Sequence, residues 1–259
     1  MVLQSREELL SAKRVVVKVG SSSISGANAH KIDKIVDALA AAHGRGQEVI
    51  LVTSGAIATG LPLLGIEIKP DDLATSQALA SVGQGRLISR YQTSLERYDL
   101  IAGQVLLTAG DLEGEETNEN AKRAMQRLLS LRVIPIVNEN DTVATAEIRF
   151  GDNDRLAALV AVMVEADALI LLSDVDALYD MPPSKPGAKR IDHVEFENDL
   201  ADAEVGGSGS NVGTGGAVTK VSAAKLANEA GVATLLTSSD LVDEALRGEN
   251  IGTWFEAKG

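Results

Sequence analysis

The sequence predicts an α/β fold, a three-layer αβα sandwich with a mostly parallel central sheet. Short apolar runs rich in β-branched residues recur along 259 residues. Longer stretches with helical periodicity separate most of them. The runs are continuous rather than alternating, as expected of strands buried on both faces. In chain order, strands are expected at Val15–Val19 (VVVKV), Val49–Thr53 (VILVT), Ile101–Leu107, Val133–Val137 (VIPIV), Ala168–Leu172 (ALILL) and Ala233–Leu236. Helices are expected at Ala29–Ala42, Ser76–Arg97, Asn118–Leu131, Asp154–Glu165 and Thr219–Ala230. Three segments break the rhythm. Ala144–Phe150 (ATAEIRF) alternates loosely and suits a hairpin arm, and Leu178–Ile191, with Pro182, Pro183, Pro186 and Gly187, reads as a surface excursion; both are expected outside the main sheet. Glu204–Gly216 holds six glycines and reads as a flexible loop. With no repeat and no linker-like composition shift, residues 1–259 are expected to form one domain.

Composition narrows the function. The net charge is −13, which argues against a nucleic-acid or anionic-membrane surface, so an anionic substrate has to be met by a few placed cations. The seven aromatic residues offer little for base stacking. The chain has no cysteine, which removes disulfides, thiolate catalysis and zinc-thiolate sites and fits a reducing cytoplasm. The N-terminal MVLQSREELLSAKR has no signal-like apolar core, and the longest apolar run, Leu156–Val164, is far short of the ~20 residues that span a bilayer; a soluble cytoplasmic protein is expected.

Five segments carry chemistry. Lys18 interrupts an apolar strand two residues before Gly20; it either snorkels from an edge strand or stands at the carboxyl edge where open α/β sheets bind ligands. Thr53-Ser54-Gly55-Ala56 joins the second strand to a helix, and its small residues either cap that helix or open backbone N–H groups to an anion. Asn138-Glu139-Asn140-Asp141 and Gly151-Asp152-Asn153-Asp154 flank one probable hairpin. They suit Asx turns and an N-cap, or a site that binds an ammonium, hydroxyls, lysines or Mg²⁺. Ser173-Asp174 follows another strand. Gly213-Thr214-Gly215-Gly216 leads through Ala217, Val218 and Thr219 to Lys220, a pattern in which glycine lets the backbone approach phosphate and lysine reaches the same anion.

Familiar alternatives fail. No Gly-x-Gly-x-x-Gly follows a strand, no Gly-Lys dipeptide forms a P-loop, and no Gly-x-Ser-x-Gly elbow exists. His30, His43 and His193 are scattered, expected at the surface, and suit neither a triad nor a two-histidine metal motif. Lysines, glycines and acids without histidine or cysteine suit phosphoryl transfer to a carboxylate. That acceptor is already ionised near neutral pH and needs no general base, so positioning and charge neutralisation carry the catalysis.

The segments VVVKVGSS, ILVTSGAIATG, LASVGQGRL, GQVLLT, PIVNENDTVATAEIRFGDNDRLAALVA, LLSDVDALY and GTGGAVTKVSAA, in this order, resemble the amino acid kinase family, and within it the members that phosphorylate glutamate. The pairing of NENDTV with FGDND is the specific part. The resemblance covers Val15–Phe255 and implies the family's fold and an ATP-dependent transfer to the γ-carboxylate of L-glutamate, the first step of proline synthesis. It implies that Lys18 and Lys220 grip the transferring phosphoryl group and Asp154 holds both lysines. It places glutamate against Ser54, Gly55, Asn138, Asp141, Asp152 and Asn153, with Asp141 toward the α-ammonium. ATP is placed against Lys18, Gly20, Ser173, Asp174, Thr214, Gly215, Gly216, Ala217, Val218, Thr219 and Lys220, with Mg²⁺ held chiefly by phosphates and no protein ligand assigned to it. It further implies proline as a feedback inhibitor, hand-off of product to glutamyl phosphate reductase, and a homo-oligomer. Departures are Ser173 for the usual threonine, Ala217 for the usual methionine, and the expected absence of a C-terminal PUA-type domain. Relatives acting on N-acetylglutamate, carbamate, aspartate or UMP, and a non-catalytic amino-acid-binding module, are the alternatives. Asp141 favours a free amino acid, and the trio Lys18, Asp154 and Lys220 favours catalysis.

Overall fold

The computed structural model describes residues 2–68, 71–144, 153–181, 183–198, 200 and 216–259. Its strands are β1 (Arg14–Val19), β2 (Glu48–Val52), β3 (Ala102–Leu107), β4 (Ile134–Glu139), β5 (Ala168–Ser173), β6 (Leu178–Tyr179), β7 (Arg190–Ile191), β8 (His193–Val194), β9 (Ala233–Ser238) and β10 (Thr253–Phe255). The parity of β1 organises the layers, because successive side chains of a strand point to opposite faces. Val15, Val17 and Val19 pack into one core with Ile35 and Leu39 of helix α1 (Lys31–Gly44), Leu87 and Tyr91 of α3 (Leu73–Glu96), and Leu246 of α8 (Val242–Leu246). Val16 packs into a second core on the opposite face. There it meets Leu112 of α4 (Ala109–Glu113), Met125 of α5 (Glu115–Ser130), Leu156 of α6 (Asn153–Met163), and Ala223 of α7 (Ala217–Glu229). Helix α2 (Ala56–Leu63) packs along α3.

The main sheet has eight strands in the order β3-β4-β2-β1-β5-β9-β10-β8. Strands β3, β4, β2, β1, β5 and β9 are parallel, and β10 turns antiparallel to β9. After β1 the chain winds out through β2, β3 and β4 and then returns to place β5 on the other side of β1. The carboxyl ends of β1 and β5 therefore flank a topological switch point, where open α/β sheets bind ligands. Lys18 pairs with Val52 and Leu171 and so stands at that edge, in the middle of the sheet rather than on an edge strand.

All six expected strands and all five expected helices form, with shifted ends. Strands β4 and β5 run on to Glu139 and Ser173, so Asn138 and Ser173 are strand residues. Leu178–Ile191 forms the separate ribbon β6–β7, outside the main sheet as expected, yet Leu178 is buried with Val221 and Phe255. The short β8 and β10 carry too few residues to show a period and were not legible. Of the expected hairpin arm only Ala144 lies within the described residues. One histidine corrects the surface expectation. His43 is buried at the end of α1, where Nε2 donates to the Arg132 carbonyl at 3.2 Å and Nδ1 accepts from the Arg132 guanidinium at 3.1 Å.

Candidate active site

Lys18 shares the parity of Val16, so its side chain leaves β1 toward α6 and α7. The Lys18 Nζ lies 2.6 Å from Asp154 Oδ1, and Lys220 Nζ lies 3.2 Å from Asp154 Oδ2. Asp154 is the second residue of α6, where a carboxylate also meets the positive end of the helix dipole. Lys220 is the fourth residue of α7. The Thr219 hydroxyl sits 2.8 Å from Asp154 Oδ2 and 2.9 Å from the Gly216 carbonyl, tying the carboxylate to the start of α7. Asp154 is 0% exposed, Lys18 5% and Lys220 7%. Burial by itself pushes the Asp154 carboxyl up, but the charges of Lys18 and Lys220 and the hydrogen bonds from Lys18 and Thr219 outweigh it and hold the group below the usual carboxylate range. Burial pushes the Lys18 ammonium down, with Asp154 pulling it back up and Lys220 adding to the depression. Two ammonium groups on one carboxylate leave the cluster with a surplus positive charge.

Next to Asp154 on the same helix, Asn153 serves a second cluster. Its Nδ2 lies 2.8 Å from the Thr53 carbonyl, 2.8 Å from Ser54 Oγ and 2.9 Å from Asn138 Oδ1. Asn138 is 1% exposed, and its Nδ2 donates to Gln84 Oε1 of α3 at 2.6 Å. The β2–α2 junction is held from below by the Thr53 hydroxyl, 2.9 Å from the Tyr91 hydroxyl, both side chains fully buried. Gly55 adopts φ +98°, the left-handed region that glycine tolerates, so the chain turns sharply into α2. The turn brings Gly55 against the loop after β1. A Cβ at Gly55 would stand 3.1 Å from Ser25 Oγ and 3.6 Å from Ser21 Cβ. Gly20 lies beside Lys18, since a Cβ there would stand in ordinary contact with Lys18 Nζ at 3.7 Å.

Ser173 and Asp174 close β5, with the Ser173 hydroxyl donating to Asp174 Oδ1 at 3.2 Å. Gly216 caps the N-terminus of α7, while Ala217 and Thr219 are half-buried and Val218 is exposed. Asp141 is half-buried in the turn after β4. The expected site residues Asp152, Thr214 and Gly215 lie outside the described residues.

The structure thus joins Lys18, Asp154, Thr219 and Lys220 in one cluster and Ser54, Asn138 and Asn153 in another, both at the carboxyl edge of the sheet. Gln84 and Tyr91 were missed. Gln84 sits inside a segment already singled out, LASVGQGRL, but a lone glutamine on a helix gives no sign of which strand it will meet. The arrangement suits transfer of an anionic group between two anions: cations sit on one side of α6's first turn, and oriented amides and a hydroxyl sit on the other. No helix among the described residues is long and apolar enough to cross a membrane.

Residues 13–237 match the profile of the amino acid kinase family. The glutamate 5-kinase of Clavibacter sepedonicus is 66% identical over 251 residues, which span 97% of each chain. That of Leifsonia xyli subsp. xyli is 64% identical over 98% of this chain and 95% of its own. The Streptomyces coelicolor glutamate 5-kinase is 52% identical, with 98% of this chain matching 70% of a longer one. Among solved structures, carbamate kinase from Giardia lamblia bound to AMP-PNP superposes with a TM-score of 0.68 at 16% identity, over 96% of this chain and 100% of its own, a likeness of fold.

Proposed function

Because this chain belongs to the amino acid kinase family, we propose that it transfers the γ-phosphoryl group of ATP to the γ-carboxylate of L-glutamate, giving glutamyl 5-phosphate and ADP. A carboxylate oxygen forms the new bond to phosphorus as the bond from phosphorus to the β-bridging oxygen breaks. The acceptor enters ionised and ADP leaves ionised, so no side chain has to move a proton. The observation that carries the reading is the adjacency of Asn153 and Asp154. One orders the amide cluster where the acceptor is to sit, the other holds two lysines where the phosphoryl group is to pass.

Lys18 and Lys220 offset the repulsion between the anionic acceptor and the triphosphate. At an effective dielectric of ~20, each close charge pair is worth roughly 4 kcal/mol. Ser54, Asn138 and Asn153 orient the glutamate, with Asp141 toward its ammonium and Asp152 among its contacts. Ser173, Asp174 and the 214–220 segment hold the nucleotide. Mg²⁺ enters with the nucleotide as a phosphate counter-ion. Asp154 fits it poorly as a ligand, both its oxygens being engaged by ammonium groups, and no cluster of three acidic or histidine ligands occurs among the described residues.

The test is purified protein with MgATP and each of glutamate, N-acetylglutamate, aspartate and carbamate, with hydroxylamine trapping the acyl phosphate formed from the amino acids and ADP release read for all four. Glutamate-dependent hydroxamate is expected, and Lys220→Ala abolishes it while the circular dichroism spectrum is kept. Turnover of N-acetylglutamate but not glutamate would refute the specificity, and no turnover with any acid would favour a binding module. The same reading includes one kinase domain sufficient for activity, a cytoplasmic location, hand-off of the labile product to glutamyl phosphate reductase, a homo-oligomer, and proline inhibition competitive with glutamate. Light scattering and initial rates at saturating proline test the last two.

A further inference from the structure

Amide side chains can be turned end for end, but two backbone groups impose one direction on this network. The Glu139 N–H can only donate, and it lies 2.9 Å from Asn138 Oδ1. Asn138 must then turn Nδ2 toward Gln84, 2.6 Å away, and Gln84 must answer with Oε1. At the other end the Thr53 carbonyl can only accept, which fixes Asn153 Nδ2 at 2.8 Å from it and at 2.9 Å from Asn138 Oδ1. Asn138 Oδ1 thereby accepts from the Glu139 N–H and faces Asn153 Nδ2, whose two hydrogens are shared with the Thr53 carbonyl and Ser54 Oγ, and of the two N–H groups of the Asn138 amide one goes to Gln84. The other has no hydrogen-bond acceptor among the described residues.

Gln84 cannot drift to follow a displaced Asn138. It is buried at 8% exposure, and its neighbour Gly83 presses α3 onto α2 so closely that a Cβ there would lie 1.8 Å from the Ala56 carbonyl oxygen. A Cβ on Gly60 would lie 2.1 Å from the Leu79 carbonyl oxygen in the same crossing. Helix α2 starts from the Gly55 turn, so α3 is seated on the same element that leaves the phosphoryl site.

We propose that Gln84 is a positioning residue for the carboxylate acceptor. Its Oε1 holds the Asn138 amide at a fixed distance and direction from α3, so that the remaining Asn138 N–H meets the acceptor. The inference rests on glutamate being that acceptor. Gln84→Met keeps the volume and removes the Oε1 acceptor, and Gln84→Asn keeps the amide but falls one methylene short of Asn138. Both are expected to raise KM for glutamate about tenfold, near the loss of one hydrogen bond to a charged group, with KM for MgATP unchanged within about twofold. In an Asn138→Ala background the same substitutions are expected to change KM for glutamate by less than about twofold, because the route is already cut.

The wild-type enzyme is run in parallel with glutamate. Absence of glutamate turnover by the wild type overturns the proposed reaction and this inference with it. With the wild type active, three results overturn the inference alone: no change in KM for glutamate, a parallel rise in both KM values, or equal effects in the two backgrounds. Should Gln84→Met fail to fold, Gln84→Asn carries the same comparison.

Discussion

Replacing Asp154 by asparagine keeps the shape of the side chain and removes the carboxylate that two buried lysines share. At 2.6 Å and 3.2 Å the two attractions are each worth roughly 5–6 kcal/mol at an effective dielectric of about 20. Desolvation takes back part of this, and breaking one buried pair has a net cost of about 3–5 kcal/mol. With the shared carboxylate gone, the repulsion around the buried Lys18 ammonium is relieved by shedding a proton. Lys18 is the group to shed it, since burial already pushes its pKa down and Asp154 is what raises it. The transferring phosphoryl group then meets one cation fewer. An ammonium about 4 Å from a phosphate oxygen is worth roughly 4 kcal/mol, a rate factor on the order of 10³. The assay is ADP release at saturating MgATP and glutamate from about pH 6 to about pH 9, across which the unperturbed lysine would stay protonated. Lys18 works in its protonated form, so the rate falls as pH rises through its pKa, and Asp154→Asn moves that fall to lower pH. The variant should therefore lose most at the alkaline end. A variant that folds and keeps the wild-type kcat with an unshifted pH profile would refute the charge-pairing argument.

Gly83→Ala places a methyl group 1.8 Å from the Ala56 carbonyl, where backbone cannot give way. We expect it to cost about 2–3 kcal/mol, a Tm lower by roughly 4–12 °C in thermal unfolding, with a raised KM for glutamate. Tyr91→Phe removes the partner of the buried Thr53 hydroxyl, which keeps a 3.2 Å contact to the Ser54 carbonyl. Denaturant unfolding should show a loss of about 1 kcal/mol. His43 is held neutral by burial first and the Arg132 charge second, so its folded pKa lies below the usual histidine value. Stability is full above the unfolded pKa of about 6.5 and is lost as pH falls through the lower folded value. His43→Gln should flatten the dependence of Tm on pH in that acidic range, and an unchanged profile would show that His43 does not carry it.

Much of this site could be read before folding because its residues sit where strands end. Lys18, Ser54, Asn138 and Ser173 each follow an apolar run long enough to declare a buried strand. In an open parallel sheet such positions converge on one edge. Gln84 and Tyr91 escaped because they lie mid-helix on α3, where periodicity tells which face is buried but not which strand it meets. His43 escaped for a related reason. Its partner Arg132 is distant in sequence, and only the packing of α1 beside the α5–β4 turn closes that contact.

The sequence by itself determined the α/β class, the order of the main strands and helices, and the chemical kinds gathered at their ends, because hydrophobic period and residue type are local properties. The tertiary structure decided which charges meet. That Lys18 faces Asp154 and not solvent follows from the parity of β1 and from α6 and α7 sharing one face of the sheet. That the amides point one way follows from the Glu139 N–H and the Thr53 carbonyl, groups present in every chain, whose direction exists only once β2 and β4 lie side by side.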